Sequence, residues 1–376
     1  MTTPRAIIDA LATATEPVVL ATVVRITGSS YGGVGTRMVI CPDGSTVGIV
    51  SGGCLEADLA EHARQVGASG KAKVVTYDTR ADDDAAWGLG LGCNGLIEVL
   101  LEPLAGDAAK SVARILEKAR NADVPSVLAT VIATSAGNPV AVGSHALIAQ
   151  GHIDATSEWS GVGLTESLVR DSGDAFAERR RGMVREYDGV TVAFEVLLPA
   201  IRLVICGSGP DVVPLVRSGC ELGWNITVVD HRPLEHAHAE RFPGATVVDC
   251  PDAKHLAEAV SLNPQTAAVV MSHHYARDLE YMHALLASQA SYIGMLGPRA
   301  RTERMLADIA ASGQSVPGGE RLFAPVGLDI GGEGPDAIAL AILGEVSAAM
   351  TRASAGHLRD RRGALHSSPA VEASVR

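Results

Sequence analysis

A chain of 376 residues, 47% hydrophobic and 20% charged, is long enough for two or three domains and too well balanced for extended disorder. Its net charge of −12 argues against a nucleic-acid or anionic-membrane surface as the main role, because a phosphate backbone wants a basic face. No apolar run approaches the roughly 20 residues that span a bilayer, and Asp9, Glu16 and a single early base, Arg5, do not make a signal peptide; a cytoplasmic protein without membrane insertion is expected.

The 6 cysteines show no CxxC spacing, which disfavours structural zinc, iron–sulfur clusters and a disulfide framework. Each is therefore weighed singly, as a small core residue or as a reactive thiol.

Residues 4–13 have the pattern of a short helix and Val18 to Ile26 that of a buried strand. Glycines and a tyrosine crowd the stretch from Gly28 to Gly35, which suits either close backbone approach to a ligand or a flexible loop. Arg37 to Cys41 and Thr46 to Val50 flank Pro42-Asp43-Gly44, a hairpin signature. The hairpin leads into Ser51-Gly52-Gly53-Cys54-Leu55-Glu56 and a helix from Glu56 to Arg64. Cys54 thus stands at a helix N-terminus, where the orphan amides favour thiolate. Most lone cysteines are core residues, but packing does not call for two neighbouring glycines.

A strand near Lys73 to Tyr77 and the acidic run Asp82 to Asp84 lead to Gly92-Cys93-Asn94-Gly95, a second cysteine among glycines, followed by a strand from Leu96 to Leu101. Two loops of the same chemistry suggest a shared pocket. Residues 17–24, PVVLATVV, are echoed by residues 125–132, PSVLATVI; at the same offset Gly35 falls on Gly143, Arg37 on His145 and Cys54 on Val162. A β-rich unit recurring twice before Pro199 is expected, with Cys54 present for chemistry rather than packing.

The most ordered signal is Ile201 to Arg232: a β-branched strand, the turn Gly207-Ser208-Gly209, an apolar helix, and a second strand stopping at Asp230. That is the nucleotide-binding βαβ pattern, in which the glycines admit a pyrophosphate and the acid holds a ribose. Gly207, Gly209 and Asp230 are candidate cofactor ligands for NAD or NADP. Two departures weaken the match: Val212 takes the third glycine's place, and Asp211 repels a phosphate at the helix start. Ala267 to Met271 ends in Ser272-His273-His274 with Asp278 ahead of a helix, and Tyr292 to Leu296 ends in Gly297-Pro298-Arg299 with Arg301 beyond. His273 and His274 are acid–base candidates at a strand's carboxyl end. Arg299 and Arg301 either clasp a phosphate or form an exposed basic face. Strands alternating with helices predict a doubly wound parallel sheet. The fold class expected is therefore α/β: a β-rich α+β domain over 1–199, a Rossmann-like domain over 200–353, and a mobile tail over 354–376.

Taken in order, the GSS run with Gly33 and Gly35, SGGCLE, GCNG, CGSGPDV, SHH with Asp278, YIGMLGPRAR and PVGLDIGG resemble the XdhC/CoxI family. The resemblance implies an accessory factor that binds molybdenum cofactor and delivers it to a molybdenum hydroxylase such as xanthine dehydrogenase, working as a homodimer. It places Cys54 and Cys93 near the cofactor, and Cys54 on molybdenum, a metal that accepts soft sulfur; Gly52, Gly53 and Arg37 are further cofactor-binding candidates in the same region. Backbone amides and Arg299 or Arg301 would neutralise the pterin phosphate. The family's turn commonly reads GxGHV where this chain has Gly209-Pro210-Asp211-Val212, so a ligand role for that turn is in doubt. The competing reading is an NAD(P)-dependent oxidoreductase, or a redox-associated subunit of a xanthine dehydrogenase.

Overall fold

The computed structural model describes residues 3–28, 30–78, 95–155, 159, 164–177, 183–231, 240–311 and 319–360. The chain divides between Pro199 and Ala200 into two compact units. Cys93, Arg232 and residues 361–376 lie outside the described residues. Among those described, no helix is long and apolar enough to cross a membrane.

The first unit holds two five-stranded sheets built alike. Helix α1 (Pro4–Thr13) precedes strands β1 (Val18–Gly28), β2 (Arg37–Ile40) and β3 (Thr46–Gly48), helix α2 (Glu56–Ser69), and strands β4 (Lys73–Asp78) and β5 (Gly95–Leu104). The order of elements then repeats as α3 (Asp107–Asn121), β6 (Ser126–Thr134), β7 (His145–Ala149), β8 (His152–Ala155), α4 (Thr165–Ala177), β9 (Met183–Tyr187) and β10 (Val190–Leu197). Strand orders are β3-β2-β1-β5-β4 and β8-β7-β6-β10-β9, and neighbouring strands run antiparallel in both sheets.

The correspondence reaches single residues. Thr22 pairs with Arg37 across β1 and β2, as Thr130 pairs with His145 across β6 and β7. The β1–β5 ladder skips Val24 and the β6–β10 ladder skips Ile132, one extra residue bending each central strand at the same place. Val24 and Ile132 meet in one apolar cluster with Leu100 and Ala193. The expected internal repeat is thus a pair of like half-units whose central strands touch through their bulged residues. Each β-rich sheet is backed by a helix because its strands bury one apolar face that needs a cover. Leu59, Ala63 and Val66 of α2 seal the first sheet, and Leu168 and Ala175 of α4 seal the second.

Two polar side-chain pairs tie the halves reciprocally. Arg37 reaches Glu195 of β10, with Nη1 to Oε1 at 3.0 Å and Nη2 to Oε2 at 2.5 Å. In the mirrored place His145 Nε2 lies 2.9 Å from Glu102 Oε1 of β5, while its Nδ1 lies 3.0 Å from Thr130 Oγ1. Glu102 faces Leu20 in its ladder and Glu195 faces Leu128 in its own, so the two acids hold equivalent positions. Each acid also presses on a glycine: a Cβ on Gly35 would collide with Glu195 Oε1, and one on Gly143 would sit 3.0 Å from Glu102 Oε1. That close approach is why both turns carry glycine.

The second unit is a parallel six-stranded sheet in the order β13-β12-β11-β14-β15-β16. Its strands are β11 (Arg202–Cys206), β12 (Asn225–Asp230), β13 (Thr246–Asp249), β14 (Thr266–Val270), β15 (Tyr292–Met295) and β16 (Leu322–Phe323). Both faces are covered, which is why the strands are almost wholly apolar. Helices α5 (Val212–Glu221) and α9 (Pro335–Thr351) pack on one face; α6 (Leu256–Ala259), α7 (Tyr275–Leu286) and α8 (Arg299–Ala311) pack on the other. Strand β11 pairs with both β12 and β14, so the connections diverge there and open a crevice at the carboxyl ends of the strands. Asp278 falls in the first turn of α7, which begins at Tyr275, rather than ahead of it.

Candidate functional site

The residues singled out from the sequence fall in both units, around the loop after β3 in the first and around the carboxyl ends of the strands in the second. In the first unit, Ser51 to Leu55 bridge β3 and α2. Gly52 and Gly53 take φ of 77° and 113°, values that cost a side chain dearly. Cys54 is exposed; among the described residues Cys206 and Cys250 are buried and Cys41 and Cys220 partly so. Tyr31 is 62% exposed, and its ring lies against Gly52, 3.1 Å from where a Cβ would be.

What shapes this loop is Glu56, the first residue of α2. Its Oε1 accepts hydrogen bonds from the amides of Val50 (3.0 Å) and Ser51 (2.8 Å). Its Oε2 accepts from Ser51 Oγ (2.6 Å) and from the amides of Gly53 (2.9 Å) and Leu55 (3.2 Å). Burial pushes the Glu56 carboxyl up, but the hydrogen bonds from Ser51 and Val50 outweigh it and hold the group below its ordinary value. Four amides that the glycine-rich sequence would offer to an anionic guest therefore serve the protein's own carboxylate. No periodic pattern in the sequence marks Glu56; the available signal is an acid directly after a glycine-flanked turn and at the start of a helix.

Arg37 belongs to the same unit, but its guanidinium is taken up by Glu195 and by the Gly35 carbonyl at 2.8 Å. Cys93, the second thiol candidate, falls outside the described residues.

In the second unit the crevice beside β11 gathers Gly207, Gly209, Asp230 and His273. A Cβ on Gly207, at φ 138°, would sit 2.6 Å from the Met271 carbonyl oxygen, so glycine is required for the loops after β11 and β14 to meet. Ser208 Oγ donates to Asp230 Oδ2 at 2.5 Å, both side chains being buried. His273 adopts φ 61°, uncommon for a residue with a side chain, and its Nε2 lies 2.7 Å from Asp211 Oδ2. His274 is the exposed N-cap of α7. Asp278, wholly buried, accepts from the Ser272 amide and hydroxyl at 3.2 and 2.5 Å and pairs with Arg301 Nη2 at 2.7 Å. Arg301 is therefore an anchor for α7 and lies over the Tyr275 ring, while Arg299 is exposed. A histidine held by a carboxylate is chemically an acid–base pair, and Asp211, its partner, registers in the sequence only as a repulsive charge.

A duplicated antiparallel unit followed by a parallel sheet with a glycine turn at its switch point defines a two-unit α/β protein of Rossmann type. Comparison with known proteins gives that class a family: residues 203–346 match the XdhC Rossmann domain and residues 11–78 match the XdhC and CoxI family. A probable xanthine dehydrogenase subunit of Bacillus subtilis (strain 168) is 30% identical over 340 residues, spanning 90% of this chain and 95% of its own. The crystal structure of a xanthine dehydrogenase from Bacillus halodurans superposes with a TM-score of 0.74 at 30% identity, covering 95% of this chain and 98% of that one. An uncharacterized protein, YqeB, of Escherichia coli (strain K12) is 29% identical over 157 residues, 41% of this chain and 28% of its own. The chain belongs to the XdhC and CoxI family.

Proposed function

We propose that this protein is an accessory factor for a molybdenum hydroxylase of the xanthine dehydrogenase type, holding molybdenum cofactor and passing it to the apo-enzyme. Support comes from family membership and from relatives whose names carry xanthine dehydrogenase. The observation that carries the reading is Cys54, an exposed thiol on a loop of fixed shape. A soft sulfur donor suits molybdenum, and the exposed Tyr31 ring beside Gly52 offers a flat face to a planar heterocycle. When bound, the cofactor supplies the redox-active metal centre of the client. The chain's own part is to present sulfur, position the ring of Tyr31 and, through Glu56, keep the loop from rearranging.

The fit is at the metal end. Because Glu56 already takes the amides of Val50, Ser51, Gly53 and Leu55, we assign the pterin phosphate to other groups. The test is retention: full-length protein is mixed with molybdenum cofactor, gel-filtered, and its molybdenum measured by plasma emission. Near-stoichiometric metal in the wild type and loss in Cys54→Ala is the expected outcome. Equal retention in Cys54→Ala and Cys54→Ser removes the assigned ligand.

A further inference from the structure

A Rossmann domain suggests a dinucleotide, and the crevice beside β11 can be tested for its fit. In the fingerprint mode the second glycine exists so that a diphosphate can rest on bare backbone, next to a helix N-terminus that welcomes negative charge. Here that place is taken from within. A Cβ on Gly209 would collide with Asp211 Oδ1 and lie 3.9 Å from His273 Cδ2, so a carboxylate and an imidazole already cover the glycine. Asp211 does not cap α5; it makes no side-chain cap hydrogen bond and is held instead by His273 Nε2 at 2.7 Å. His273 reaches it from a strained φ of 61°, which the surrounding structure has to enforce.

The ribose position is engaged as well. Asp230 is 2% exposed, its Oδ2 receives Ser208 Oγ at 2.5 Å, and its Oδ1 lies 3.3 Å from His231 Nδ1. A ribose would have to displace Ser208 to reach the acid, and a diphosphate would have to expel Asp211 against like charge. The residues do not fit the cofactor.

We infer that this Rossmann domain excludes dinucleotides, and that Asp211, clamped by His273, is the residue that excludes them by standing where the diphosphate would rest. The inference goes beyond the delivery reading and is separable from it, since cofactor retention is read at Cys54 in the other unit. Calorimetric titration of the full-length protein with NAD and with NADP tests it, beside Asp211→Ala and Asp211→Asn. The second variant keeps the shape and the contact to His273 while removing the charge, and circular dichroism checks that each variant is folded. The wild type is expected to show no saturable binding up to about 1 mM nucleotide. At least one variant is expected to bind at least about tenfold more tightly, the effect of relieving roughly 1.4 kcal/mol of repulsion. Saturable wild-type binding tighter than about 1 mM overturns the inference. So does a pair of folded variants that bind no better than the wild type.

Discussion

Glu56 decides the shape of the Cys54 loop, and its removal has a definite cost. Five donors converge on its two oxygens, so Glu56→Ala is expected to lower stability by about 2 kcal/mol and to broaden the conformations open to Cys54. Urea unfolding measures the first, and the rate of thiol alkylation the second. The pH dependence has a fixed sign. The folded carboxyl sits below its ordinary value of 4.5, so its contribution is complete above that value and is lost as pH falls through the lower folded value. The stability gap between wild type and Glu56→Gln should therefore be widest near neutrality and close in acid; a gap that widens in acid contradicts the assignment. Gly207 offers a second residue-level test. With φ at 138° and the Met271 carbonyl in the way, Gly207→Ala is expected to cost about 3 kcal/mol, read as a lower melting temperature. The sequence marked Gly207 through its strand–turn–helix setting and Cys54 through its flanking glycines. It did not mark Glu56 as the loop's organiser, because the donating amides, spread over six residues, follow no period.

At the level of elements, the two halves of the first unit are held by polar side chains that cross between them. Arg37 and Glu195 are separated by 158 positions, far beyond any local pattern, which is why the sequence did not reveal Glu195 as the partner of Arg37. The echo in sequence aligned Arg37 with His145 correctly, and the structure gives the shared property: each grips a glutamate of the opposite half. Arg37→Ala leaves Glu195 unpaired and mostly buried, and is expected to cost about 3 kcal/mol. The double variant Arg37→Ala with Glu195→Ala should cost less than the sum of the two single changes, because an acid without its base is worse than neither; additive costs would mean that the pair does not couple. Helices α3 and α4 went unread in the sequence for a different reason. The buried Val112, Ile115, Leu116 and Ala119 of α3 do follow a helical period, but that stripe is spread among charged residues, whereas the strands announce themselves through unbroken β-branched runs.

For the molecule as a whole, the alternation of strands and helices after residue 201 was enough to foresee the parallel sheet, because such strands are buried on both faces and spell out their apolar character. The paired antiparallel sheets were visible only through the repeat. A common electrostatic habit runs through both units: the glycine-rich turn beside Cys54 and the one beside Gly209 are each supplied with an acid of the chain's own, Glu56 and Asp211. With a net charge of −12, the protein is expected to pass unretained through heparin at physiological salt, and retention there would reveal a basic face that composition does not suggest. The crossed bridges between the two sheets also restrict anyone who wishes to shorten the molecule. Cut after β5, the leading half would carry Arg37 without its acid and Glu102 without its imidazole, and the trailing half would inherit the complementary pair of orphans. A minimal fragment of the amino-terminal region must therefore keep both copies of the fold, or have both bridges replaced with neutral packing before it is divided.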